Sequence, residues 1–133
     1  MKYYHYKHYD KELDALLSKY FGDEYGAVVS RDLNGVIDNI EICYISYDGC
    51  STIWTHYANI ANIDTTKSDK WELNQQFIDI DEDFVEEYGK QYSKYIGTEQ
   101  KAMYIYGYFK TLGGAVRNLY RYGTHRKPKS IYV

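Results

Sequence analysis

Two dipeptides, Asn34-Gly35 and Asp48-Gly49, bracket an isoleucine-rich run and constrain this chain more than any other feature. Asparagine, aspartate and glycine tolerate positive φ, so each pair reads as a tight reversal between antiparallel strands. Between them, Val36 to Tyr47 puts Ile40, Ile42 and Tyr44 on one face and Cys43, Ile45 and Tyr47 on the other. That is the pattern of a central strand covered on both sides. Tyr25 to Arg31, with Ala27, Val28 and Val29, supplies the strand before it, and Ser51 to Ala58, with Ile53, Trp54 and Tyr57, the strand after it. Together they predict an antiparallel meander.

Helical spacing frames the meander. Asp10 can cap a helix from Lys11 to Phe21, in which Leu13, Leu16, Leu17 and Tyr20 recur at helical intervals and Gly22 is the stop. Before it, Met1 to Tyr9 alternates tyrosine with lysine or histidine and reads as a polar strand or extended arm. After the meander, Asn59 to Lys70 is polar and predicts an exposed loop, and Trp71, Leu73 and Phe77 predict a fourth strand running to Ile80. Phe84, Val85, Tyr88, Tyr92, Tyr95 and Ile96 then fall on one side of a second helix that Gly97 ends. Ala102 to Phe109 is β-like, with Met103, Ile105 and Phe109 set against Tyr104, Tyr106 and Tyr108. Thr111 can cap a third helix, whose Leu112, Ala115, Val116 and Leu119 stand at i, i+3, i+4 and i+7 before Gly123. Pro128 breaks the chain ahead of a short strand from Ser130 to Val133.

The expectation is therefore one α+β domain over residues 1–133, with a mainly antiparallel sheet of about five or six strands, about three helices and a C-terminal β-α-β unit. No repeat or linker divides it. A chain of 133 residues can bury a core without disulfides or metal. Cys43 and Cys50 are too few for a disulfide framework and read as reduced thiols. No run approaches a membrane span and Met1 to Asp10 is too polar for a signal peptide, so a cytoplasmic protein with no membrane contact is expected.

Charge is sharply divided along the chain. Lys101 to Val133 carries seven Lys or Arg and no Asp or Glu, whereas Met1 to Gln100 holds nine basic residues against all 19 acidic ones. The net charge of −3 thus conceals an acidic body and a basic tail. The densest acidic feature is Asp79, Asp81, Glu82, Asp83, Glu86 and Glu87. Three of these suit the first turn of a helix, where carboxylates complement the macrodipole. Carboxylates so closely spaced also imitate a nucleic-acid backbone and fit a basic groove on a partner. They do not form an EF-hand, because the glycine and the terminal glutamate of that loop are missing.

The tail interleaves rings with cations: Tyr104, Tyr106 and Tyr108, then Arg117, Arg121 and Tyr122, then His125, Arg126, Lys127 and Lys129. Cations contact phosphates and rings stack on bases, so a nucleic-acid-binding use of Tyr104, Tyr106, Tyr108, Arg117, Arg121, Arg126 and Lys127 is the alternative. A third possibility keeps the charges within the fold, the tail neutralising the body. Gly113 and Gly114, at a helix start, call for compensation by close helix-to-sheet packing. His5 and His8 lie three apart, on opposite faces of a strand, which does not make a metal site. No nucleophile elbow, metal motif or dinucleotide fingerprint is present, so neither a metal nor a cofactor is expected, nor an enzyme.

In size, acidity, tyrosine content and the lack of a catalytic pattern, the chain resembles the small proteins that phages and mobile elements use against restriction or CRISPR nucleases. The resemblance is one of composition and covers no motif. It implies a non-enzymatic inhibitor of the anti-CRISPR or antirestriction type, whose acidic, tyrosine-rich surface meets a protein or nucleoprotein with a basic groove. The composition leaves the oligomeric state open.

Overall fold

The computed structural model describes residues 2–3, 10–97 and 101–133, including the backbone alone at Lys2, Tyr3, Phe77 and Lys101. His5 and His8, with most of the expected N-terminal arm, lie outside the described residues. The elements run β1 (Lys2–Tyr3), α1 (Lys11–Tyr20), β2 (Tyr25–Arg31), β3 (Ile37–Asp48), β4 (Ser51–Asn62), β5 (Trp71–Asp79), α2 (Glu82–Tyr88), a 3-10 segment (Lys90–Tyr95), β6 (Lys101–Phe109), α3 (Leu112–Tyr122) and β7 (Ser130–Tyr132). All seven strands lie in one sheet in chain order. Among the described residues only the β1–β2 pair is parallel. This is the expected single α+β domain, with one strand more than expected because two residues of the arm join the edge.

Side chains start and stop the helices. Asp10 Oδ1 accepts the Leu13 N–H at 2.9 Å and opens α1, while its Oδ2 lies 3.3 Å from Arg31 and ties that helix to β2. Thr111 Oγ1 accepts the Gly114 N–H at 3.0 Å and opens α3, which ends at Gly123 with φ 64°. The paired glycines answer to two neighbours. A Cβ on Gly114 would stand 3.1 Å from the capping hydroxyl, and one on Gly113 would touch Leu16 of α1. Gly114 thus lies against Phe109 of β6 and Gly113 against α1, both at ordinary van der Waals distance.

Those two helices cover one face of the sheet. Leu13, Leu17, Ala115, Val116 and Leu119 meet Ala27, Val29, Ile40, Ile42, Ile60 and Leu73 in the main core. A fully buried side chain of this size contributes roughly 1.5–3 kcal/mol, so this layer is the principal source of stability. A second cluster forms where Phe84 of α2 packs with Ile80, Ala102, Tyr88, Tyr92 and Tyr104.

Four details depart from the pattern-based expectation. β4 continues to Asn62, so the first residues of the predicted Asn59–Lys70 loop are strand, and Asn59 is only 2% exposed. Polarity misled there because cross-strand acceptors take up the amide nitrogens: Asn59 Nδ2 donates to Asn39 at 3.2 Å and Asn62 Nδ2 to the Ile37 carbonyl at 2.9 Å. The second helix is two pieces, since Gly89 with φ 125° ends α2 and leaves a 3-10 segment. The first reversal is wider than Asn34-Gly35, because Asp32 accepts the N–H groups of Asn34 and Val36, and only Gly35 has positive φ. Finally, β6 is bulged. Leu73 pairs with Gly107 and Asn74 with Ile105, so Tyr106 is an extra residue. The bulge turns Tyr104, Tyr106 and Phe109 all toward the helices and leaves Tyr108 on the other face beside Lys70, so the three tyrosines do not form one platform.

Candidate functional site

The acidic segment is a solvent-facing edge. Asp79 closes β5, Asp81 accepts the Phe84 N–H at 2.8 Å as the cap of α2, and Glu82 and Asp83 fill its first turn. Glu86 and Glu87 follow on the same short helix. All six are exposed, and among the described residues none forms an ion pair. The tyrosines nearest to them, Tyr88, Tyr92 and Tyr95, are half-buried against Phe84, so the surface here is carboxylate rather than ring. The exposed rings lie elsewhere, at Tyr44, Tyr47, Tyr108, Tyr120, Tyr122 and Tyr132.

The basic tail converges on a groove. Along α3, Gly114, Arg117, Asn118, Arg121 and Tyr122 form one stripe which, with Phe109, lines a hollow of about 220 Å³. The turn after α3 lines a larger one of about 430 Å³ from Thr124 to Lys127, opposite Tyr88, Tyr104 and Glu87. Arg126 joins the two. Its Nη2 donates to Asn118 Oδ1 at 2.6 Å, and its guanidinium carbon sits 4.9 Å from the Tyr106 ring centroid and 5.5 Å from that of Tyr122. Burial draws its pKa down, with the neighbouring tyrosines opposing. Arg117, Arg121, Arg126 and Lys127 make no ion pair among the described residues, so these four cations do not neutralise the body through ion pairs.

Tyr106 acts beneath this groove. Its hydroxyl is shared between Gln75 Oε1 at 2.8 Å and the Thr124 carbonyl at 3.1 Å, which anchors the turn that carries Arg126. Burial pushes its phenol up to about 12. Five of the seven predicted ring and cation residues therefore border the groove: Tyr104, Arg117, Arg121, Arg126 and Lys127. Tyr106 supports it from below and Tyr108 stands apart. Comparison with known protein families, with curated proteins and with solved structures finds no match.

The face without helices gathers reactive side chains that their spacing in the chain did not join. Cys43 and His56 are register partners across β3 and β4, with Glu41 two residues from Cys43 on the same side. The Cys43 thiol donates to Glu41 Oε1 at 3.1 Å, and burial first, then Glu41, pushes it up to about 12. His56 Nε2 accepts the Gln76 N–H at 3.2 Å, which leaves its proton on Nδ1, 3.6 Å from Glu41. Burial outweighs the pull of Glu41 and lowers the imidazole pKa, so His56 is neutral and its contact with Glu41 is dipolar rather than ionic. The thiol donates to an anionic carboxylate rather than to the imidazole and is 2% exposed, and burial and the carboxylate's charge both suppress the thiolate a nucleophile needs. Beside it, Asn59 and Asn74 are register partners and Asn74 donates to Glu72 at 2.8 Å, forming a buried polar row. Among the described residues no group of three metal-ligating side chains converges, and no helix is long and apolar enough to cross a membrane.

Proposed function

We propose that this chain is a small non-enzymatic binding protein that docks its acidic edge, Asp79 to Glu87, into the basic groove of a protein or nucleoprotein, as an inhibitor of a nuclease of the anti-CRISPR or antirestriction kind. The observation that carries the reading is the unneutralised charge of that edge. Asp79, at the end of β5, and Glu82, Asp83, Glu86 and Glu87, on a helix that buried Phe84 holds in place, are exposed and unpaired among the described residues. Such a surface loses little to ordering on binding, and charge complementarity steers its encounter with a cationic partner. The buried thiol and neutral imidazole fit a role without turnover. The test replaces Asp79, Glu82, Asp83, Glu86 and Glu87 with the matching amides and keeps Asp81 so that α2 stays capped. Wild-type protein should block nucleic-acid cleavage by a sensitive nuclease and bind it less tightly as salt rises. A folded amide variant that inhibits as well as wild type rules out this surface.

A further inference from the structure

The cationic groove is a second surface that shares only Glu87 with the acidic edge, and its lining narrows what it can hold. We infer that the groove between α3 and the turn after it binds a short single-stranded segment of nucleic acid, with Arg117, Arg121, Arg126 and Lys127 on the phosphates and Tyr122 stacked on a base. Three observations lead there. The first is charge without a counterpart. Arg117, Arg121 and Lys127 are exposed and have no carboxylate within ion-pair reach among the described residues. They follow α3 and the turn as a strip, and a polyanion is the ligand that satisfies a strip. The α3 amide that Thr111 caps is already satisfied, so the side chains carry the attraction.

The second observation is preorganisation. Arg126 is held on three sides, by Asn118 and by the Tyr106 and Tyr122 rings. Little freedom remains for its guanidinium to lose on binding. The third is the placing of rings. Tyr122 is 59% exposed beside Arg126, and Tyr104 and Tyr88 line the larger hollow. An acidic peptide would use the cations and leave the exposed Tyr122 ring idle, and a duplex keeps its base faces stacked inside. Unpaired bases use both. Glu87 repels phosphate from the outer wall of the larger hollow and so marks the end of the track.

The experiment measures fluorescence anisotropy with a labelled oligothymidylate of about a dozen nucleotides, against the matching duplex and poly-glutamate. Four phosphate contacts predict a log–log salt slope of roughly −3, falling to about half when Arg117→Gln and Arg121→Gln are combined. Tyr122→Ala should weaken binding roughly ten-fold with the slope unchanged, because stacking releases no counterions. Glu87→Gln should tighten it. These positions are exposed, so circular dichroism should show an unchanged fold in every variant. Binding of duplex or poly-glutamate as tight as that of the single strand would overturn the inference. So would full affinity in Tyr122→Ala, or no binding at low salt.

Discussion

Replacing Tyr106 with phenylalanine removes one hydroxyl from beneath the groove and tests whether that hydroxyl anchors the turn. The ring is 4% exposed, and its single proton serves two acceptors, Gln75 Oε1 and the Thr124 carbonyl. Both acceptors belong to half-buried residues that water can partly reach, so the loss is close to one net hydrogen bond, about 1–1.5 kcal/mol, and below the cost of two orphaned carbonyls. For a chain of this size the melting temperature should fall by roughly 3–6 °C. Phenylalanine still offers Arg126 a ring face, so the substitution isolates the hydroxyl.

The same substitution predicts a pH dependence. Burial raises the Tyr106 phenol from its ordinary value of about 10 to about 12. The folded state then holds this proton more tightly than the unfolded state does, so the group costs stability as pH rises above about 10 and the unfolded chain ionises first. The phenylalanine variant lacks that loss, whereas other tyrosines affect both proteins alike. Urea denaturation at neutral pH and at about pH 11 should therefore show a gap that narrows on the alkaline side. Equal stability at neutral pH, or a gap that stays constant to pH 11, would refute the reasoning.

Further outcomes follow from other contacts. Gly26→Ala should destabilise by about 1–3 kcal/mol, because the new Cβ overlaps the Trp54 ring and lies 2.8 Å from Ile45 Cδ1; unchanged stability and tryptophan emission would show that the hairpin yields freely. Asp10→Ala should cost about 1 kcal/mol at neutral pH. The Leu13 N–H, and then Arg31, hold the Asp10 carboxyl below its usual range, so its contribution is present above the unfolded pKa and vanishes as pH falls through the folded one. The two proteins should accordingly converge in acid, and a persisting gap counts against the carboxylate's role. With a thiol reagent, exposed Cys50 should react at once and Cys43 only on unfolding; two fast thiols would contradict the Glu41-bound, buried state.

Much of the fold was legible because local chemistry and tertiary packing agree. Asp10 and Thr111 cap the helices that their positions announce, Gly123 ends α3, and the two-sided run from Val36 does become β3, with Ile40 and Ile42 in the main core and Cys43 and Ile45 buried on the opposite face. Misreadings fall where a distant partner overrides local preference. Asn59 and Asn62 are poor strand formers taken singly, and their amides settle in β4 because Asn39 and Ile37 stand across from them. Gly89 stands in a helical pattern, and the pattern alone does not reveal its positive φ.

The candidate surfaces divide in the same way. The acidic edge is continuous in the chain, so a charge count finds it. The groove is not continuous in the chain: Phe109 and Tyr88 read there only as parts of a strand and a helix face, and they join Arg126 and Tyr104 only because the chain folds back after α3 over a bulged β6. The segregation of charge, the helix caps and the central meander were all legible from the chain, because each depends on neighbours a few residues away. Which tyrosines face water, which way Cys43 directs its thiol, and that Arg117, Arg121 and Lys127 form no ion pair among the described residues are outcomes of the tertiary structure, because they depend on strand register and on a one-residue bulge that reverses which face a side chain meets.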